Sequence, residues 1–175
     1  AFAGDVVGIP NHGVLRIGDT LTEGEDLVFT GVPSFAPEIL RRVKLGDPMK
    51  AKKLRSALEE LAEEGVVQLF LPIDGSPAIV GVVGALQLDV LADRLNTEYG
   101  VPIDFETSRH EVLRWIQSDD PKKLEEFIAA NRFSIANDLD GDPVLMAQSA
   151  FSLNYALERA PAIRAIEIKE MHKPA

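Results

Sequence analysis

Three groups of residues in this chain have the types and spacing that could do chemistry. The first, Asp138-Leu139-Asp140-Gly141-Asp142, sets three carboxylates at alternate positions, like the opening of a calcium loop. Such a loop needs glycine at its sixth position and a bidentate glutamate at its twelfth, and here those positions hold Pro143 and Ser149. The segment therefore reads as a hairpin turn in which Asp-Gly supplies positive φ. The second, Gly81-Val82-Val83-Gly84, has the spacing of loops that clamp a nucleic-acid backbone, but its interior pair is apolar where basic residues belong. It reads as a strand turning tightly into a helix at Ala85. The third is the histidines. His12, His110 and His172 are scattered at no metal-ligand spacing, and each reads as a solvated surface residue. The sequence contains no Gly-x-x-x-x-Gly-Lys-Ser/Thr and no Gly-x-Gly-x-x-Gly. It also has no cysteine, which removes disulfides and thiolate metal sites and fits a reducing cytoplasm.

The charge distribution carries more. The formal net charge is −10, against a protein that grips nucleic acid over its whole surface. Yet residues 41–55 hold seven basic side chains (Arg41, Arg42, Lys44, Lys50, Lys52, Lys53 and Arg55) and one acidic one, Asp47. The rest of the chain holds 11 basic and 27 acidic side chains. One cationic island sits in an acidic molecule. Asp47-Pro48 has the form of a helix start, and the helix it opens carries Lys50, Lys52, Lys53 and Arg55 in its first half and Glu59, Glu60, Glu63 and Glu64 in its second. Both placements oppose the helix macrodipole, by about 0.3–1 kcal/mol per exposed charge. A pair such as Arg55 with Glu59 recovers a few tenths of a kcal/mol. A cationic end that costs stability is expected to face an acidic partner such as an RNA backbone; the competing reading is a solvated helix that tolerates a small penalty.

The elements that must position these residues are those of an α+β chain. Hydrophobic residues make up 46% of it, enough for a real core, and no apolar run approaches the roughly 18 residues of a membrane span. No membrane partner is expected. Residues 1–34 read as short strands with turns: Asp5 to Ile9, Val14 to Ile17 and Leu27 to Phe29, with turns at 10–13 and at Gly18-Asp19. They are too few and too short to close a sheet. The pattern suits either the end of a β-barrel whose other strands lie upstream or an N-terminal hairpin packed on the residues after it. Residues 35–111 give a strand from Ile39 to Leu45, the helix from Pro48 ending at Gly65, strands over 67–71 and Ile79 to Val83, a helix from about Ala85 to Tyr99, and a strand over 101–105. That order, βαββαβ, is the ferredoxin-like split βαβ unit. Residues 112–175 repeat it more weakly: a strand from Val112 to Gln117, a helix from Asp120-Pro121, strands over 133–136 and 144–147 around an Asp-Gly turn, a helix from about Ser149 to Arg159, and a strand from Ala162 to Ile168. Periodicity leaves open whether the two units share a sheet.

These residues are similar to a known family. Ala3-Gly-Asp-Val-Val-Gly8 with Ile17-Gly-Asp-Thr-Leu21 resembles the closing strands of the β-barrel that follows the G domain in translational GTPases. Phe35-Ala-Pro-Glu-Ile39 with Arg41-Arg42 resembles the opening strand of the next domain, and Gly84-Ala-Leu-Gln-Leu-Asp-Val90 with Arg94 and Glu98-Tyr99 resembles its second helix. Gln87 stands where elongation factor G has a histidine. With the Asp47-Pro48 helix start and the tail from Arg114-Trp115, it points to the bacterial peptide chain release factor three family. The resemblance implies a C-terminal fragment: barrel strands over 1–34, a ferredoxin-like unit over 35–111 and a second α+β unit over 112–175. It implies a cytoplasmic protein that acts on the ribosome and helps class I release factors leave after peptide release. GTP and magnesium belong to a G domain upstream, so this segment is expected to be non-catalytic and without a cofactor. The ribosome-facing candidates are Arg41, Arg42, Lys50, Lys52, Lys53 and Arg55. Two other expectations stand beside this one: a free-standing tandem ferredoxin-like module that binds a small metabolite between its units, and an elongation-factor paralogue.

Overall fold

The structure, a computed structural model, describes residues 1–10, 14–15, 17–25, 27 and 33–169. Among described residues before Ser34 there is no strand, contrary to the strand expected at 5–9, while the one expected at 14–17 lies partly outside them. Val6, Val7, Ile9, Val14 and Ile17 are instead exposed, although Ile17 reaches the backbone of Gly65. The expected turn at 10–13 and strand at 27–29 lie largely outside the described residues. A turn does occur at Ile17-Gly18.

The first α+β half opens with the two-residue strand β1 (Ser34–Phe35) and then β2 (Ile39–Leu45). Asp47 caps the next element, its carboxylate accepting from the Met49 N–H at 3.0 Å. The first turn, Pro48–Lys50, is a 3-10 turn rather than α-helix, and α1 proper runs Ala51–Glu63. Leu54, Ala57, Leu58 and Leu61 fall on one face at helical spacing and are buried. Strands β3 (Gln68–Pro72) and β4 (Ile79–Val82) form a hairpin, followed by α2 (Leu86–Thr97) and β5 (Ile103–Thr107).

The second half begins with β6 (Val112–Gln117) and α3 (Pro121–Ala130). Asp120 caps α3 by accepting from the N–H groups of Lys122 and Lys123. A 3-10 turn, Arg132–Ser134, takes up the first residues of the strand expected at 133–136, so β7 spans Ile135–Asn137 and Phe133 points outward, 78% exposed. Then come β8 (Pro143–Ala147), α4 (Ala150–Glu158), β9 (Arg164–Ile166) and β10 (Ile168–Lys169). The single closing strand expected over 162–168 is therefore split. Its last residues leave the main sheet and pair with β1, Ser34 opposite Lys169 and Phe35 opposite Ile168.

Eight strands make one antiparallel sheet in the order β5-β2-β4-β3-β7-β8-β6-β9. The halves meet at the β3–β7 seam, Leu71 opposite Asn137 and Pro72 opposite Ala136, and again where β1 pairs with β10. Each half buries one sheet face beneath its own helices. Val43, Leu69, Val80 and Val82 pack under α1 and α2, and Ile116, Ile135 and Leu145 pack under α3 and α4. The opposite faces share a third cluster that contains no helix residue: Leu40, Phe70, Ile79, Leu113, Trp115, Ala136, Val144 and Met146. Side chains alternate along a strand, so a sheet with apolar residues on both sides needs both covered.

Gly81 belongs to this third layer rather than to a turn. A Cβ there would lie 2.6 Å from Pro37 Cγ and 2.9 Å from Phe70 Cε2, closer than packed carbon atoms tolerate. The glycine lets residues 36–37 close over the sheet, where the Ala36 N–H donates to the Glu167 carbonyl at 2.8 Å. Gly81→Ala is expected to lower unfolding stability by about 1–3 kcal/mol in urea titrations, as over-packing does. Gly84→Ala, with open space around it, is the matched control and should cost much less.

Candidate functional site

The cationic island maps onto β2, the Pro48–Lys50 turn and the first half of α1. Its members do not form one face. Arg41 and Arg42 are neighbours on a strand and so point to opposite sides of the sheet. Arg41 donates from Nη1 to the Leu40 carbonyl at 2.9 Å. Lys50 Nζ donates to the Gly100 carbonyl at 2.8 Å, serving the end of α2, where a cation is favoured. Arg55 pairs with Glu59 at 2.9 Å. Lys44, absent from the expected set, pairs with Glu106 at 3.2 Å. Among the described residues Lys52 and Lys53 have no such partner and are exposed. Met49 stands beside them, 94% exposed.

The acidic half of α1 has a structural account. Arg94 on α2 donates to Glu64 and to Glu98, at 2.6 Å each. Those hydrogen bonds, Glu98 first and Glu64 second, hold the guanidinium above the ordinary arginine range. Tyr99 donates its hydroxyl to Glu60 at 2.8 Å, and its pKa is pushed up to about 12, by burial first and by Glu60 second. The late carboxylates of α1 thus join it to α2 despite the helix dipole. The cationic start of α1 has no matching role inside the molecule at Lys52 and Lys53.

Beside this helix start lies a cleft of about 550 Å³ between α1, β2 and the β3–β4 hairpin. Leu54, Leu58, Leu69 and Leu71 give it an apolar wall, and Arg42, Lys44 and Arg55 are also among its lining residues. A second cleft of about 280 Å³ lies in the other half, lined by Arg109, His110, Phe133, Ser152 and Ala156 among others. The helix-free faces of the two halves meet through the cluster around Phe70 and Trp115, and nothing there supports the metabolite module.

The three-aspartate segment is a hairpin turn between β7 and β8. Asp138 accepts from the N–H groups of Asp140 and Asp142, and Gly141 takes φ +89°. Asp138, Asp140 and Asp142 are the one cluster of three or more His, Cys, Asp or Glu side chains among the described residues close enough to hold a metal ion. An internal cation already reaches them. Lys169 Nζ donates to Asp138 at 2.7 Å, to Asp140 at 2.8 Å and to Asp142. Trp115 Nε1 also donates to Asp138, at 2.8 Å. Burial by itself would push the Lys169 pKa down, but the hydrogen bonds to the three aspartates outweigh it and hold the ammonium above its usual range. Sequence spacing showed the carboxylates but not their partner, which lies some thirty residues on.

Two further residues differ from expectation. Gln87 is a strut: its Oε1 accepts from the N–H groups of Val83 and Gly84, and its Nε2 donates to the Val66 carbonyl at 3.2 Å. It fixes the start of α2 against the start of β3. His110 is not solvated. It is buried in the link between the halves, and its Nδ1 has no hydrogen-bond partner. Burial first, then Arg109 and Arg42, lower its pKa, with Asp74 opposing. His12 and His172 lie outside the described residues.

Against known families, the model described as Class II release factor RF3, C-terminal domain, matches residues 29–157. The chain belongs to this family. Its role is therefore release-factor-related and lies in translation termination. The match takes in α1, α2, α3, all but the last residue of α4, the cationic island and the aspartate turn, and it stops before β9, β10 and Lys169. No helix among the described residues is long and apolar enough to cross a membrane.

Two measurements check the buried polar groups. Lys169→Met should destabilise the protein by roughly 3 kcal/mol in urea unfolding, because three carboxylates are left crowded without their cation. For His110 the sign follows from linkage. The neutral form is favoured in the folded state, so below the ordinary value of 6.5 the unfolded chain binds more protons. Stability is complete above pH 6.5 and falls as pH drops through it toward the folded pKa. His110→Gln should show a shallower fall over that window in parallel denaturation series.

Proposed function

We propose that this chain is the C-terminal interaction region of a release-factor GTPase, holding the protein on the ribosome while class I release factors depart. The observation that supports the reading is the uncommitted cationic start of α1. Its acidic half is tied to α2 through Arg94 and Tyr99, whereas Lys52 and Lys53 stand exposed beside Met49 with no internal role. In a chain of net charge −10 such a spot favours one local contact with an acidic partner over broad RNA gripping. Residues 35–111 and 112–175 act as two ferredoxin-like units on one sheet, and residues 1–34, among whose described members no strand lies before Ser34, complete strands only against a barrel formed with sequence upstream. GTP and magnesium chemistry belongs to a preceding G domain, so this region itself is non-catalytic and works in the cytoplasm.

The test is charge reversal at Lys52 and Lys53, the two island lysines without an internal partner. In the full-length protein, Lys52→Glu with Lys53→Glu should weaken ribosome association by about tenfold at low salt. It should also flatten the slope of log K against log salt by about 0.7 per lost phosphate contact. Reversal of Lys122 and Lys123 on α3 is the control. Ribosome binding and salt slope unchanged by the Lys52/Lys53 pair would remove the helix start from the mechanism.

A further inference from the structure

The turn that closes α1 carries a contact from outside the sheet. Gly65 ends the helix with φ +75°, its N–H donating to the Ala62 carbonyl and the Val66 N–H to the Leu61 carbonyl, each at 3.0 Å. A positive φ just past a helix calls for glycine. The space where a Cβ on Gly65 would stand is taken by Cδ1 of Ile17, from the N-terminal segment. One side of α2 flanks the same turn. Gln87 reaches the Val66 carbonyl, and Arg94, two turns on, reaches Glu64. Val90 lies between them at helical spacing, on the side of α2 that runs past Gly65. It is 44% exposed, Leu86 one turn earlier is 73% exposed, and Val83, whose N–H Gln87 holds, is 61% exposed. These aliphatic side chains form an uncovered rim beside a turn that Ile17 already touches.

The N-terminal segment has the matching need. Phe2, Val6, Val14 and Leu21 are each more than half exposed, and no strand forms among the described residues before Ser34. Clustered apolar exposure marks a contact surface. We infer that the rim of Val83, Leu86 and Val90 seats the chain's own N-terminal region, residues 1–33 with the body they complete, and that Ile17 anchors it at Gly65. The inference rests on the reading that residues 1–33 belong to a barrel formed with upstream sequence. Charge does not select this occupant, because Asp5, Asp19, Glu23 and Glu25 are acidic like Glu64, Asp89 and Asp93 near the rim. Continuity and attachment do. The Ile17 contact is in place, and a tied segment acts at a local concentration that a free partner lacks. A second copy would set Asp89 and Asp93 against their own equivalents across a two-fold axis. Lys53 lies twelve residues before Gly65, roughly 18 Å along α1 at 1.5 Å per residue. The seat therefore fixes how the cationic start of α1 is presented relative to the upstream region.

The experiment places a photo-crosslinking benzoylphenylalanine at position 86 of the purified full-length protein and maps the adduct by mass spectrometry. The expected result is a link within the same chain to a residue that precedes Ser34. Its yield should not change on dilution and should exceed about tenfold that from position 49, exposed at the other end of α1. Ile17→Asp should lower the yield about tenfold, with the far-UV circular dichroism unchanged. If that variant fails to fold, Val90→Asp with the group kept at 86 gives the same comparison. A link to another copy, links only to residues after Ser34, or a yield no higher than from position 49 would overturn the inference, as would a yield that neither aspartate lowers. Amide hydrogen exchange over residues 5–9 separates this inference from the reading beneath it. Protected amides without the link overturn the docking alone, whereas amides that exchange as in an open chain overturn the barrel reading. Ribosome association through Lys52 and Lys53 is read independently of both.

Discussion

An antiparallel sheet whose strands are apolar on both faces must bury both, and four helices placed on one side of each half cover only one. The cluster of Leu40, Phe70, Ile79, Leu113, Trp115, Ala136, Val144 and Met146 meets that requirement without any helix residue. Much else in the molecule serves it. The β3–β7 seam joins the halves into one sheet, and the β1–β10 pair stitches their far ends. Pro37 closes over the bare Cα of Gly81. Lys169 anchors the last strand to the β7–β8 turn, and through Asp138 to Trp115 of the shared layer. At roughly 25 cal/mol per Å² of apolar surface, a layer of this kind outweighs any surface ion pair in the structure.

The charges divide into those that hold the fold and those that do not. Helix α1 looks badly placed in its own dipole until α2 is added, and then Glu60 and Glu64 become the groups that Tyr99 and Arg94 need. Lys50 turns out to serve the end of α2, and Arg55 its own helix. This sorting leaves Lys52 and Lys53 as the exposed lysines of the island without an internal partner, beside Arg42, whose Nε is buried without a hydrogen bond. The same logic turns a possible metal loop into an internal ion cluster, because an ammonium reaches the carboxylates a metal would use. Gln87, the residue most telling for the family resemblance, is likewise a backbone strut.

Most elements were legible locally. Asp47-Pro48 and Asp120-Pro121 each announced a helix start, and both aspartates do cap. The span Ile39–Leu45 and the span Val112–Gln117 are strands as their patterns indicate. Errors fell where a distant partner decided the outcome. Residues 5–9 have strand composition but no ladder to join among the strands of residues 34–169. The closing strand splits at Glu167 because its last residues pair with Ser34 and Phe35. His110 sits in a loop by sequence and in the interior by packing, since the link between the halves is itself covered. A signal for the third apolar layer was present: β4 and most of β8 are buried at every position, a run without the alternation of a one-sided sheet.

Determined by the sequence alone were the α+β order, the helix caps, the turn at Asp140-Gly141, the cationic island and the family resemblance, because each depends on residues within a few positions of one another or on a motif read in line. Tertiary structure alone decided that the two units share one sheet, which lysine answers the three aspartates, which basic side chains are already engaged, and that α4 presents aromatics outward. The sheet seam, the Lys169 cluster and the Lys50 and Arg94 contacts rest on pairings between residues tens of positions apart. Hydrophobic periodicity reports that a face must be buried, but it carries no information about which distant element will bury it.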